Sequence, residues 1–322
     1  MFRFFRVSVG YTLLSGIAGG FLLALFWQPL VFSKAATGVG EGAVKDNMNV
    51  FQAFSLGMVQ GLTEFIPISS TAHLKVIPVA LGWGDPGVTF SAIIQLGSIV
   101  AVLWYFWEDL TGVVEGVISS VRRRDYGSLE FKMGVGIVVG TVPIIIGGLL
   151  LKLFVKDLDN SVFRSMTTIA LASLLMASLL ALAEKFARPK RTWESLSVWD
   201  GILIGLAQTL ALIPGVSRSG ATITAALFLN LQRSTAARFS FLLGIPAITL
   251  AGVVELKEVF STSFPTHQIF PLSVALLSSA IFSYLSIAWL IRYLQRQSTW
   301  IFVWYRFAFG IAILVAIALK RV

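Results

Sequence analysis

Residues 57–75 read Gly57-Met58-Val59-Gln60-Gly61-Leu62-Thr63-Glu64-Phe65-Ile66-Pro67-Ile68-Ser69-Ser70-Thr71-Ala72-His73-Leu74-Lys75. A carboxylate, a carboxamide, a run of hydroxyls, one of the chain's two histidines and a lysine stand here in surroundings that are otherwise mostly apolar. Polar groups at that density are expensive inside a membrane and mark a functional site. The backbone pattern of the stretch is equally informative. An apolar helix from about Val50 to Phe65 covers some 16 residues, about 24 Å at 1.5 Å per residue, which falls short of a hydrocarbon core of roughly 30 Å. Pro67 then breaks it. Ser69 or Ser70 is placed to cap a second short helix running to about Leu81, and Gly82-Trp83-Gly84-Asp85-Pro86-Gly87 forms a turn. Two half-length helices around a Pro-Ser-Ser break predict a re-entrant hairpin, because non-helical backbone at membrane depth survives only where protein or a wet cavity satisfies it.

The remaining composition agrees with a membrane setting. Of 322 residues, 56% are hydrophobic and 13% charged, against about 25% charged in soluble domains, and the mean hydropathy is +0.83. The chain reads as an all-α integral membrane protein, a polytopic helical bundle, with no room for a large soluble domain. The alternating short segments of a membrane β-barrel are absent. With no cysteine, disulfides, thiolate metal sites and cysteine nucleophiles are excluded. The net charge of +9 lies in short clusters between apolar segments, so positive-inside topology explains it better than nucleic acid binding.

Residues 1–49 read as an N-terminal extension: Arg3 and Arg6, an apolar stretch from about Val9 to Phe32, small residues, then a Gly-rich linker from Thr37 to Asn49. This is a signal-like segment or an uncleaved signal anchor, and either places the linker outside. Residues 50–322 form one membrane domain. Full crossings are expected at about 89–107, 131–153 and 163–186, then at about 236–256, 269–292 and 302–320. Between these sets a second broken segment runs from about Val198 to Leu229, interrupted at Ile213-Pro214-Gly215-Val216-Ser217-Arg218-Ser219-Gly220-Ala221-Thr222.

The two broken segments match each other. Gly57-Met58-Val59-Gln60 corresponds to Gly205-Leu206-Ala207-Gln208, Phe65-Ile66-Pro67 to Leu212-Ile213-Pro214, and Phe90-Ser91 to Phe239-Ser240. Repeats of about 50–186 and 198–322, with three crossings between the breaks, enter from opposite faces and predict inverted topology, the hairpins meeting near the repeat axis. Arg3, Arg6, Arg122 to Arg124, the Lys185 to Arg191 cluster, Arg233, Arg238, Arg292 and Arg296 fall on one side, with fewer basic residues opposite. The richer side is assigned to the cytoplasm, so the first hairpin opens to the exterior.

The chemistry follows from spacing. Gln60 and Glu64 share a helix face, as do Ser70 and His73. Opposite them, Arg218 and the Ser217, Ser219 and Thr222 hydroxyls open a helix; with its first N–H groups they form a cradle whose fork geometry suits phosphate oxygens. A diphosphate ligand would give Glu64 a further task, since a divalent cation is commonly held by one carboxylate and substrate phosphates; Gln60 could add a neutral, weaker oxygen. His73 is a candidate general acid or base, and Ser70 either a nucleophile or a phosphate-binding hydroxyl. Plainer readings stand beside these: Glu64 and Arg218 as a structural ion pair, the hydroxyls as helix caps, His73 as a satisfied buried histidine. Lys75 reads as a snorkelling or entrance residue and His267 as a solvated loop residue.

The motifs Gln60 to His73 and Pro214 to Thr222 closely resemble the two signatures of the bacterial undecaprenyl-diphosphate phosphatases, also called bacitracin-resistance proteins. The resemblance extends from about residue 50 to the C-terminus, including Gln95-Leu96-Gly97-Ser98 and Phe239-Ser240-Phe241-Leu242-Leu243. It implies a multi-pass enzyme of the bacterial plasma (inner) membrane that removes the terminal phosphate of undecaprenyl diphosphate, recycling the lipid carrier for peptidoglycan and other envelope glycans. It also implies a divalent cation, Mg²⁺ or Ca²⁺, and a site toward the periplasmic side. By the same resemblance Glu64, Ser70, His73 and Arg218 are catalytic, Ser69, Thr71, Ser217, Arg218, Ser219, Gly220 and Thr222 bind the diphosphate, and Glu64 with the weaker Gln60 holds the metal. Gln60 stands where Glu is common and Ala72 where Gly is common; the first puts a two-carboxylate mechanism in doubt. Two rivals are a polyprenyl-phosphate flippase, suggested by the paired broken helices, and the lipid phosphatases with two catalytic histidines, disfavoured because His267 lacks a Ser-Arg context. Partners expected are the polyprenyl diphosphate and the membrane; a homodimer is compatible with the sequence.

Overall fold

The computed structural model describes residues 48–155, 162–261 and 266–319. The signal-like segment and nearly all of the linker that follows it lie outside the described residues. Those described form eleven α-helices and no β-strand. The first broken segment is α1 (Val50–Glu64) and α2 (Ser70–Ala80), followed by α3 (Val88–Tyr105), α4 (Trp107–Arg123), α5 (Leu129–Phe154) and α6 (Met166–Phe186). The second is α7 (Val198–Gln208), a 3₁₀ turn over Thr209–Leu212 and α8 (Arg218–Phe228), followed by α9 (Arg233–Ser261), α10 (Thr266–Leu294) and α11 (Trp300–Ala318). Five helices are by themselves long and apolar enough to cross a membrane, and α3 with α4 qualifies as a bent pair. The chain is a multi-pass helical membrane protein.

Caps set the helix starts. Asn49 accepts from the Gln52 amide while the Gln52 side chain returns to the Asn49 N–H, and Ser197 with Asp200 repeats this box at α7. The two breaks differ from these. Ser69 and Ser217 precede α2 and α8 with φ of 75° and 72°, a left-handed region that costs a residue with a β-carbon on the order of 1–3 kcal/mol. Ser217 caps the Gly220 N–H at 3.1 Å, whereas Ser69 occupies the cap position without a side-chain bond. Strain at both junctions has to be held by the surroundings.

Small residues bring the scaffold close. A β-carbon at Gly57 would lie 2.2 Å from the Ala275 carbonyl oxygen, so α1 lies directly on α10; one at Gly205 would lie 2.1 Å from that of Gly140, so α7 lies on α5. Contact of this kind drives helix association in lipid. Along α10, Ser278, Ser279 and Ser286 donate to the carbonyls of Phe54, Ile94 and Gly61, and Ser283 to the Ser98 hydroxyl, pinning α1 and α3. Large apolar side chains such as Leu149, Leu153, Phe154 and Leu277 face outward, as a lipid-facing rim requires.

Two expectations are corrected. The sequence reading placed no helix between 107 and 131, yet α4 occupies most of that interval, bent 63° from α3 at a buried Phe106. Its charged face, with Glu108, Glu115, Arg122 and Arg123 exposed, hides it from a search for apolar spans, while Leu110 and Val113 pack on the core. His267 lies in the first turn of α10 rather than in a loop, exposed as expected. Basic residues assigned to one side tie helix ends together: Arg191 grips Asp200 through two bonds of 2.7 Å, Arg233 pairs with Glu184, and Arg238 pairs with Asp109 while stacking on Trp193.

Candidate active site

The two breaks meet inside the bundle. Gln60 and Glu64 come from the last turns of α1, Ser70 and Thr71 from the first turn of α2, and Arg218 from the first position of α8. Glu64 is the hub. Its Oε2 accepts from the Ser70 hydroxyl at 2.5 Å and from Gln60 Nε2 at 3.2 Å, and its Oε1 lies 3.3 Å from Arg218 Nη2. The Glu64 and Arg218 side chains are only 10% and 12% exposed, yet both line a cavity of about 220 Å³ together with Ser69, Ser70, Thr71, Gln95 and Ser217. Apolar side chains, among them Ile144, Ile213, Ala247, Ile248 and Ala251, line the rest of it. A second cavity of about 200 Å³ shares Ser70, Thr71 and Gln95 with the first and is otherwise lined by Gln60, Lys75, Asp85, Ser91, Arg164 and neighbours.

Of the residues singled out from the sequence, the structure brings Glu64, Ser69, Ser70, Thr71, Ser217 and Arg218 to one cavity and Gln60 to its edge. It turns others inward. His73 is buried, its Nδ1 2.7 Å from the Ser69 carbonyl and its Nε2 2.6 Å from the Tyr305 hydroxyl, with the ring stacked on Phe309. Ser219 donates to the Ile66 carbonyl at 3.2 Å, across from one break to the other. Gly220 caps onto Ser217, and Thr222 bonds to the Arg218 carbonyl at 2.8 Å and to Ser240. None of these four lines either cavity.

Three residues without an assigned role emerge. Gln95 lines both cavities, Tyr305 holds His73, and Arg306 is the largest fully buried side chain among the described residues. An arginine in the middle of the apolar stretch 300–318 is itself a signal, because ionisable residues inside a span rarely lack a function; Gln95 and Tyr305 carry no comparable mark.

One carboxylate, one carboxamide and a hydroxyl surround the Glu64 hub. No group of three or more His, Cys, Asp or Glu side chains that could hold a metal ion occurs among the described residues. That donor set does not cage a cation alone. It does fit a hard divalent cation that takes most of its oxygens from phosphate and water.

The sequence profile described as bacitracin resistance protein BacA matches residues 53–312. The chain belongs to the BacA bacitracin resistance family. Three cyanobacterial relatives, each named undecaprenyl-diphosphatase, extend this. The chain is 59% identical to that of Synechocystis sp. over 316 residues, covering 98% of this chain and 95% of the relative. It is 56% identical to that of Trichormus variabilis over 309 residues, covering 96% and 95%, and 54% identical to that of a Nostoc species over 308 residues, with the same coverage. A match over 98% of the chain necessarily takes in most of the residues ahead of the BacA match.

Proposed function

We infer that this protein is an undecaprenyl-diphosphatase, hydrolysing the lipid diphosphate to the monophosphate and phosphate and so conferring bacitracin resistance. Near-full-length identity to enzymes of that name supports it, and so does a cavity that joins a carboxylate, a hydroxyl and a guanidinium to an apolar wall. The observation that carries the chemistry is the 2.5 Å bond from the Ser70 hydroxyl to Glu64.

In this reading the Arg218 fork, the Ser217 and Thr71 hydroxyls and the N-terminus of α8 bind the diphosphate. The prenyl chain leaves along the apolar wall. Ser70 Oγ attacks the terminal phosphorus and passes its proton to Glu64, which delivers it to the bridging oxygen as that bond breaks and the lipid monophosphate departs. Water then cleaves the phosphoseryl ester, returning the Ser70 hydroxyl and releasing phosphate. Arg218 stabilises charge on the equatorial oxygens throughout. Glu64, with Gln60 as the weaker ligand, would hold Mg²⁺ or Ca²⁺, and such a cation would supply further neutralisation of the phosphate oxygens. His73 supports the break from behind through Ser69.

The repeats of about 50–186 and 198–322 are assigned inverted topology, and the two broken segments are assigned as re-entrant hairpins. Support comes from the left-handed serine before each second half-helix and from the reciprocal close packing of α1 on α10 and α7 on α5. The site is assigned to the periplasmic side of the inner membrane, a reading that the charge bias supports.

The test is phosphate release from C55 diphosphate by purified protein in detergent with added lipid. Release that a chelator abolishes and Mg²⁺ or Ca²⁺ restores is expected. A folded sample that releases nothing would overturn the reading and move the assignment to lipid-phosphate transport, which uptake of labelled lipid phosphate into sealed vesicles would then measure.

A further inference from the structure

Arg306 lies midway along α11 with 1% of its surface exposed. Its partners are backbone carbonyls: Nη2 donates to Gly215 at 2.7 Å, Nη1 to Pro67 at 3.0 Å and Nε to Ser173 at 3.3 Å. The Ser173 hydroxyl donates back to the Arg306 carbonyl at 3.2 Å. Pro67 stands three residues before Ser70 and Gly215 three residues before Arg218. One guanidinium therefore holds, in each break, the carbonyl three residues ahead of the first residue of the second half-helix.

Interrupting a helix frees carbonyls that a membrane interior cannot hydrate. Many side chains could satisfy one of them. A planar fork with donors fixed in direction bonds two carbonyls from separate segments and holds the distance between them; a lysine ammonium carries its three donors on one freely rotating atom and leaves that distance loose. That distance matters because the first break carries Glu64 and Ser70 and the second carries Arg218. The adjacent Tyr305 grips α2 through His73, so α11 restrains α2 directly as well as through the break before it.

We propose that Arg306 is a positioning residue that sets the separation of Ser70 from Arg218, and with it the fit of the diphosphate between nucleophile and anion fork. The proposal rests on the phosphatase reading. It predicts a loss in turnover rather than in binding, since a displacement of about 1 Å in a reacting group can cost about 10²-fold in rate.

The experiment uses the full chain in detergent and the Arg306→Lys variant. The parent has no cysteine, so cysteines placed at Leu81 and Phe228, at the far ends of α2 and α8, accept spin labels without background. Expected for Arg306→Lys are a cooperative melt, a kcat about 10²-fold lower with KM within threefold, and a shifted or broadened label-to-label distance. Parent-like turnover, or lowered turnover with an unchanged distance, would overturn the proposal. Should Arg306→Lys fail to fold, Arg306→Gln decides by the same readouts, because a single carboxamide nitrogen on a shorter side chain cannot hold the Pro67 and Gly215 carbonyls together. If the parent itself releases no phosphate, the phosphatase reading fails, while the distance measurement still tests the clamp.

Discussion

Replacing Glu64 by glutamine keeps the side chain's shape and removes its charge. In the parent the carboxylate takes the Ser70 proton bond at 2.5 Å and faces Arg218 at 3.3 Å. The Ser70 bond sits at the short end of the range for a hydroxyl donating to an ionised acceptor, so Ser70 is held ready to give up its proton. An amide oxygen accepts a weaker bond and cannot take the proton. General-base removal typically costs 10²–10⁴-fold, so Glu64→Gln is expected to lower kcat about 10³-fold, or about 4 kcal/mol in barrier height. The fold should lose some stability, because Arg218 is 12% exposed and removing one partner of a buried pair costs about 3–5 kcal/mol, a cost lowered here by water in the cavity that Arg218 lines. Phosphate release from C55 diphosphate at saturating Mg²⁺, run beside thermal melting in the same detergent, measures both quantities. The half-saturating Mg²⁺ concentration should also rise. Turnover within tenfold of the parent, with chelation still abolishing activity in both proteins, would refute Glu64 as the base.

Arg218→Lys retains the charge but loses the fork, and is expected to lower kcat/KM by about 10–10²-fold, measured as initial rates across substrate concentration. His73→Ala leaves the Ser69 carbonyl and the Tyr305 hydroxyl without their ring partner, a destabilisation of about 1–3 kcal/mol; melting should fall while turnover falls less than in Glu64→Gln. Unchanged melting with a loss of turnover equal to Glu64→Gln would instead put the imidazole in the chemistry. Gly205→Leu forces a side chain against Gly140, where a β-carbon alone would stand 2.1 Å from the carbonyl oxygen, and should abolish the folded, monodisperse fraction in size-exclusion chromatography.

The fold was legible in the sequence wherever the signal is local. Apolar runs of spanning length, Pro67 and Pro214, and the hydroxyl-rich starts of α2 and α8 set the broken segments and most crossings within a few residues. α4 was missed because an amphipathic helix bent off a span has no long apolar run. The site was legible as residue types at helical spacing: Gln60 and Glu64 do meet on one face. Ser70 and His73, read as sharing a face, diverge, Ser70 to Glu64 and His73 to Tyr305. Spacing of three places two side chains within about 60° of one another around a helix, not on a single line, and at the first turn after a break that angle separates cavity from core.

By itself the sequence determined membrane residence, two proline-marked interruptions and, at the second, groups suited to an anion, since hydropathy, breaking residues and spacing act over a few turns of chain. Tertiary structure alone decided that Glu64 and Arg218, 154 positions apart, face one cavity, which Ser219, Gly220, Thr222 and His73 do not line. It also decided that Arg306, on the last helix, bonds both breaks. The physical reason is that carbonyls freed by a broken helix must find donors in a medium without water, and which donor reaches them depends on how distant helices pack.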